Sequence, residues 1–84
     1  MANGVIRYWA AAKAAAGVAE ESYAAAHVAE ALENACTGRD DEFRRVLARS
    51  SLLLDGAPVG TRPRDSVPLP EGGVLEVLPP FAGG

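Results

Sequence analysis

Apolar and polar residues alternate near both ends of the chain, which is the pattern of β-strands with one buried face. In residues 5–9, Arg7 interrupts a run that is otherwise β-branched and aromatic. Neighbouring side chains of a strand point to opposite faces. Ile6 and Tyr8 are therefore predicted to lie in the core, while Arg7 and Trp9 face outward.

The second alternating run, residues 74–78, predicts another strand of this kind, in which Glu76 marks the outer face. Residues 20–25 show a weaker strand pattern, and we predict that they form a hairpin with the first strand. Residues 52–54 are three consecutive leucines, which predict a buried strand.

Three helices are predicted between these strands. Residues 10–16 favour a short helix by composition, and Gly17 is its expected C-terminal cap. Apolar residues recur at helical spacing over 28–36, which predicts the main helix. Asp40 is the predicted N-cap of the third helix. The buried stripe of that helix is predicted to be Phe43, Val46 and Leu47.

Turn residues separate the later elements. Asp55-Gly56 predicts a tight turn after the leucine run, and Glu71-Gly72-Gly73 predicts a turn before the last strand. The order of strands and helices predicts one α+β domain over residues 1–78, with its helices on one face of a mixed sheet.

Residues 79–84 follow the last strand as a predicted flexible tail. Pro79 and Pro80 fix φ and cannot continue a ladder of hydrogen bonds, so the chain is expected to leave the sheet as an extended arm. Five residues beyond Pro79 reach about 17 Å at roughly 3.3–3.5 Å each. Because Gly83 and Gly84 have no side chains, the end of this arm could enter a narrow channel in another protein.

Composition and charge argue against several classes of partner. The 84 residues carry a net charge of −3 and no long run of lysine or arginine, so nucleic acid is not expected. No apolar stretch is long enough for a membrane helix, and the first residues lack the pattern of a signal peptide. Cys36 is the only cysteine, which suits a reducing compartment. We therefore predict a cytoplasmic protein that does not bind a membrane.

Candidate catalytic residues are few. His27 is the only histidine and is expected to begin a helix rather than to act in catalysis. The acidic residues 40–42 are explained by helix capping. The sequence contains no phosphate-binding glycine loop. We expect no metal site, no bound cofactor and no enzymatic activity of the chain alone.

Residues 6–17, 54–56 and 74–84 resemble the MoaD/ThiS family of ubiquitin-like sulfur carriers, and within it the small subunit of molybdopterin synthase. The ending Pro-Pro-Phe-Ala-Gly-Gly is the most specific part. The resemblance implies a β-grasp fold, with the first and last strands adjacent and parallel. Two positions depart from the family pattern, since His27 stands where threonine is often found and Gly73 where an acidic residue is common.

The resemblance also implies chemistry at Gly84. A partner, an E1-like (MoeB-like) adenylyltransferase, would use ATP in trans to adenylate its carboxylate, and a sulfur donor protein would then displace AMP. The resulting thiocarboxylate would donate sulfur in molybdopterin (molybdenum cofactor) biosynthesis, inside the large subunit of molybdopterin synthase (MoaE-like). The residues that would carry Gly84 into that subunit are Pro79, Pro80, Phe81, Ala82 and Gly83.

A partner-binding surface is predicted at the root of the tail. If the first and last strands are parallel neighbours, Arg7 and Glu76 share the outer face, and we predict that they form an ion pair. Trp9 and Leu78 lie two residues further along and, with Phe81, would form an exposed apolar patch. The alternative for Trp9 is that a helix or loop covers it as an ordinary core residue.

Three other functions are compatible with the same tail. One is a sulfur carrier for thiamine thiazole or cysteine biosynthesis, which would use the same chemistry at Gly84. Another is a ubiquitin-like modifier joined to lysines of other proteins through Gly84. The third is an interaction module whose tail is inert.

Overall fold

The computed structural model describes residues 1–80. Its five strands are Ala2–Tyr8 (β1), Glu20–Ala25 (β2), Ser51–Leu54 (β3), Ala57–Pro58 (β4) and Val74–Leu78 (β5). Its helices are Ala10–Ala16 (α1), Val28–Cys36 (α2) and Asp41–Arg49 (α3), with a 3-10 turn at Arg64–Ser66. The strands form one sheet in the order β2-β1-β5-β3-β4. Only the central pair, β1 and β5, is parallel, so the predicted mixed sheet is confirmed.

One face of the sheet forms the core together with the helices. Ile6 and Tyr8 are buried as predicted, and Leu75 and Val77 are buried beside them in β5. The buried side of α3 consists of the predicted stripe Phe43, Val46 and Leu47. We call the opposite side of the sheet the open face, because Arg7 and Glu20, which point to it, are exposed.

Both predicted boundaries of β1 were wrong. Strand β1 begins at Ala2 rather than Val5, because residues 2–4 pair with Ala25, Ala24 and Tyr23 of β2. Hydrogen bonding across the hairpin extends the strand beyond its apolar run. Trp9 lies outside the strand and forms the N-cap of α1.

The helix ends follow the predicted capping chemistry. Gly17 adopts a left-handed conformation with φ of 81° and ends α1. The Asp40 side chain accepts a hydrogen bond from the Phe43 amide at 3.1 Å. His27 caps α2 through its ring, since Nδ1 accepts from the Glu30 amide at 3.2 Å. His27 is thus a helix-start residue, as expected.

Asp55 and Gly56 make the predicted tight turn, with φ of 51° and 82°. The Asp55 carboxylate also accepts a hydrogen bond from the Val74 amide at 2.8 Å. The turn between β3 and β4 is thereby fixed to the start of β5. Among residues 1–80, no helix has the length and apolar character that crossing a bilayer would require.

Candidate functional site at the end of the central strands

Strands β1 and β5 end at the same edge of the sheet because they run parallel. Tyr8 lies opposite Val77, and the Trp9 amide continues the ladder by donating to the Val77 carbonyl at 3.2 Å. Beyond that point β1 turns into α1, while β5 continues into Pro79 and Pro80. The root of the tail therefore lies beside Trp9.

The Trp9 side chain is 48% exposed, so it is not covered as a core residue. Its indole Nε1 donates a hydrogen bond to Glu76 Oε1 at 3.1 Å. Since Glu76 points to the open face, this bond holds the indole ring against the outer side of β5. The ring combines a large apolar surface with a fixed orientation, and this combination is typical of residues that anchor protein interfaces.

The predicted ion pair between Arg7 and Glu76 was wrong. The two residues are register partners in the parallel pair, as expected. Arg7 is also opposite Glu20 in β2, and its Nε lies 3.2 Å from Glu20 Oε2. Glu76 instead accepts the Trp9 indole hydrogen. Both Arg7 and Glu20 are largely exposed, so their ion pair contributes only about 0.2–1 kcal/mol.

The structure tests only part of the predicted apolar patch. Leu78 is half-buried at the end of β5, opposite Ser51, and Pro79 after it is also half-buried. Phe81 lies outside the described residues, as do Ala82, Gly83 and Gly84. Within residues 1–80, the patch at the root of the tail therefore consists of Trp9, Leu78 and Pro79, with Pro80 exposed beside them.

Sequence reasoning missed one residue of the open face. Leu53 lies opposite Glu76 in the antiparallel pair and is only half-buried, whereas Leu52 before it is buried. Residues 52–54 were predicted to be buried together. A run of three leucines gives no alternation, so the run alone could not show which member faces outward. The register with β5, which sets Leu53 opposite Glu76, was needed to assign Leu53 to the open face.

Apolar residues extend across this side of the sheet. Val5 and Val74 are register partners, are both half-buried and point to the open face. We use the term open-face surface for Val5, Trp9, Leu53, Val74 and Leu78. The open-face surface surrounds Arg7 and Glu76 of the central strands and reaches the point where the tail begins. A partner that received the tail could therefore also cover this surface.

The titratable side chains of Arg7, Tyr8 and Glu76 at this end all form hydrogen bonds within the fold. The nearest phenol, that of Tyr8, is buried and donates to Glu21, and burial raises its pKa well above the ordinary value. Residues 1–80 contain no group of three histidine, cysteine or carboxylate side chains able to hold a metal ion. The start of the tail, Pro79 and Pro80, therefore lies beside the open-face surface.

Comparison with known proteins identifies the fold. No family model matches the chain, and no curated protein matches it by sequence. Several solved structures do match. The small archaeal modifier protein 1 (SAMP1) from Methanosarcina acetivorans has a TM-score of 0.84 at 18% identity, covering 100% of this chain and 98% of its own. This chain has the ubiquitin-like β-grasp fold.

Two further β-grasp structures agree. A Pyrococcus furiosus protein, provisionally named molybdopterin converting factor subunit 1, has a TM-score of 0.77 at 23% identity, covering 95% of this chain and 99% of its own. SAMP1 from Haloferax volcanii has a TM-score of 0.78 at 18% identity, covering 98% and 99%. Together with the first match, these structures confirm the predicted β-grasp fold.

Proposed function

We propose that this β-grasp protein is a sulfur carrier whose Gly84 carboxylate is adenylated, converted to a thiocarboxylate and used as the sulfur donor in molybdopterin biosynthesis. The observation that carries the proposal is the parallel pairing of β1 with β5. It places the start of the tail beside the exposed ring of Trp9. Activation and delivery require partners, and the open-face surface offers a site at which they could dock.

The proposal assigns the chemistry to other proteins. A carboxylate reacts with a sulfur nucleophile only after its oxygen has become a good leaving group, and adenylation with ATP achieves this. An E1-like, MoeB-like adenylyltransferase would supply that step in trans, and a sulfur donor protein would displace AMP. A MoaE-like large subunit would then receive the tail, with Trp9 and Leu78 inside the contact.

Mass spectrometry of the intact chain tests the proposal. After incubation with ATP, an E1-like adenylyltransferase and a sulfur source, we expect one oxygen of the C-terminal carboxylate to be replaced by sulfur. A variant that lacks Gly84 is the control and should stay unmodified. Sulfur uptake that survived this deletion would show that Gly84 is not the site.

A second candidate function is a protein modifier joined to lysines through Gly84. Two of the matched structures carry the name small archaeal modifier protein, and this observation favours the alternative. Both functions begin with the same adenylate and diverge at the nucleophile that attacks it. An amide bond between Gly84 and a lysine of another protein would support the modifier, whereas a thiocarboxylate supports the carrier.

The pathway that receives the sulfur needs a separate experiment, because carriers for thiazole or cysteine synthesis would load sulfur in the same way. We expect the thiocarboxylate form to copurify with a MoaE-like large subunit and to convert a dithiolene precursor in its presence. Sulfur transfer only to a thiazole or cysteine synthase would replace the molybdopterin assignment by one of those alternatives.

A further inference from the structure

Lys13 is the only lysine of the chain, because the other seven of its eight cationic residues are arginines. An amine can attack an activated acyl group once it is deprotonated, whereas the guanidinium of arginine stays protonated and does not. A protein whose own carboxylate is activated therefore has two amines that could capture it, Lys13 and the N-terminal amine. Their positions relative to the tail differ.

Lys13 lies at the end of the molecule where the tail begins. Its amide is hydrogen-bonded to the carbonyl of Trp9, and the Trp9 amide is bonded in turn to Val77 of β5. One helical turn, about 5.4 Å along the axis, separates Trp9 from Lys13. Residues 79–84 can span up to about 20 Å, which exceeds this separation even after the spacing between two strands is added. Met1, by contrast, precedes β1 at the opposite end of the sheet.

The surface beside Lys13 fits a narrow segment of chain. A shallow groove of about 380 Å³ lies between α1 and the residues that lead into β2. Apart from Lys13 and Val18, its lining residues are alanines and a glycine: Ala10, Ala14, Gly17 and Ala19. Val18 is 41% exposed there, and Lys13 forms none of the ion pairs found within residues 1–80. Small lining residues suit the small side chains of Ala82, Gly83 and Gly84.

We propose that Lys13 captures the activated tail of its own chain when no sulfur donor intercepts it. The groove receives residues 82–84, and the deprotonated amine of Lys13 attacks the acyl carbon of the Gly84 adenylate. A carbon–nitrogen bond forms, the bond from carbon to the phosphate oxygen breaks, AMP leaves with the electron pair, and the amine loses its proton to solvent. The product is an amide-closed ring that can no longer carry sulfur. This inference rests on the proposed activation of Gly84.

The experiment omits the sulfur source. The full chain is incubated with an E1-like adenylyltransferase and ATP at mildly alkaline pH, and intact masses are recorded. We expect a monomer that is lighter by one water and whose digest contains a branched peptide joining Gly84 to Lys13. Lys13→Arg keeps the positive charge, and it should abolish this product while sulfur loading at Gly84 in a parallel reaction is unchanged.

A matched control places the single lysine at the end of the sheet opposite the tail. Ala24 is exposed in β2, near the end of the sheet opposite the tail, since it pairs with Asn3. Ala24→Lys combined with Lys13→Arg keeps one lysine in the chain and should not restore the ring. Restoration by this variant, water loss that persists in Lys13→Arg, or amide-linked dimers in place of the monomer would overturn the inference.

The sulfur-loading reaction separates failure of the inference from failure of the proposed function. Sulfur uptake at Gly84 without any ring product would overturn the capture by Lys13 and leave the carrier function standing. The absence of both products would overturn the carrier function, and the capture with it.

Discussion

At the scale of single residues, the Tyr23 side chain restricts which residues can occupy the positions next to it. Its hydroxyl donates to the Pro70 carbonyl at 2.7 Å, and its ring fills the space above two glycines. A Cβ on Gly4 would lie 2.3 Å from Tyr23 Cζ, and one on Gly73 would lie 2.6 Å from the Tyr23 hydroxyl oxygen. The departure from the family pattern at Gly73 therefore has a steric reason in this chain.

The close approach of Tyr23 to Gly73 predicts that one added methyl group destabilises the fold. Gly73→Ala should lower the free energy of unfolding by about 1–3 kcal/mol, because the new Cβ also meets Pro70 Cγ at 2.7 Å. Urea denaturation of the variant measures the loss. Tyr23→Phe removes the hydroxyl, so Gly73→Ala should cost less in that background. Strict additivity of the two substitutions would contradict the steric explanation.

His27 is the second position that departs from the family pattern, and its cap can be tested alone. His27→Ala removes the acceptor for the Glu30 amide and should cost about 1 kcal/mol. His27→Ser keeps an acceptor and creates the Ser-x-x-Glu capping box with Glu30, so its stability should equal or exceed that of the wild type. Thermal denaturation of both variants distinguishes them. Equal losses would show that packing of the imidazole, not capping, is what matters.

At the scale of elements, Arg39 connects most of the fold. Its guanidinium donates to Glu21 Oε2 of β2 at 2.7 Å, to the Ala16 carbonyl of α1 at 3.1 Å and to the Ala35 carbonyl of α2 at 2.7 Å. It also lies 4.9 Å from the ring centroid of Phe43 in α3. Two helix C-termini thereby gain a donor, and one strand gains an ionic partner.

The Arg39–Glu21 pair predicts a pH dependence. Burial opposes ionisation of Glu21, but hydrogen bonds from Arg39 and Tyr8 outweigh it, so the pKa of Glu21 is lower in the folded chain than its ordinary value. The pair therefore stabilises the fold above the ordinary glutamate pKa, and this contribution is lost as pH falls through the lower, folded pKa.

Denaturation across the acidic range measures this effect. Glu21→Gln should cost about 1–3 kcal/mol at neutral pH and flatten the decline of stability toward acid. Glu33→Gln is the control, because Arg44 also lowers the pKa of Glu33 but that pair is exposed. It should change the curve little. An acid dependence that remained in Glu21→Gln would show that other carboxylates cause it.

Within single elements, local signals in the sequence predicted the structure, but side-chain contacts between elements were not predicted. Strand alternation placed Ile6 and Tyr8 correctly, and helix caps such as Gly17 and Asp40 followed local chemistry, because these signals involve nearby residues. The same local signals did not predict which side chains pair across the sheet. Arg7 has register partners on both sides, and the sequence could not show that Glu20 would be its ionic partner while Trp9 bonded to Glu76. Such choices depend on tertiary geometry.

At the scale of the whole molecule, the residues that stabilise the fold and those proposed to bind partners lie on opposite faces of one sheet. Phe43 and Arg39 are on the helical side, whereas Trp9 and Leu53 are on the open face. The backbones of the strands separate the side chains of the two faces. Substitutions on the open face should therefore change binding more than folding.

Trp9→Ala tests this separation directly. The ring is about half exposed, so its loss should lower the free energy of unfolding by no more than about 1.5 kcal/mol. If Trp9 anchors the partner, the same change should weaken binding of a MoaE-like subunit by about 2 kcal/mol or more, roughly 30-fold in Kd.

Leu53→Ala should act in the same direction, and Arg45→Ala, on the exposed side of α3, should leave binding unchanged. Calorimetric titration measures the Kd and urea denaturation the stability. A large loss of stability with unchanged binding would show that Trp9 does not contact the partner.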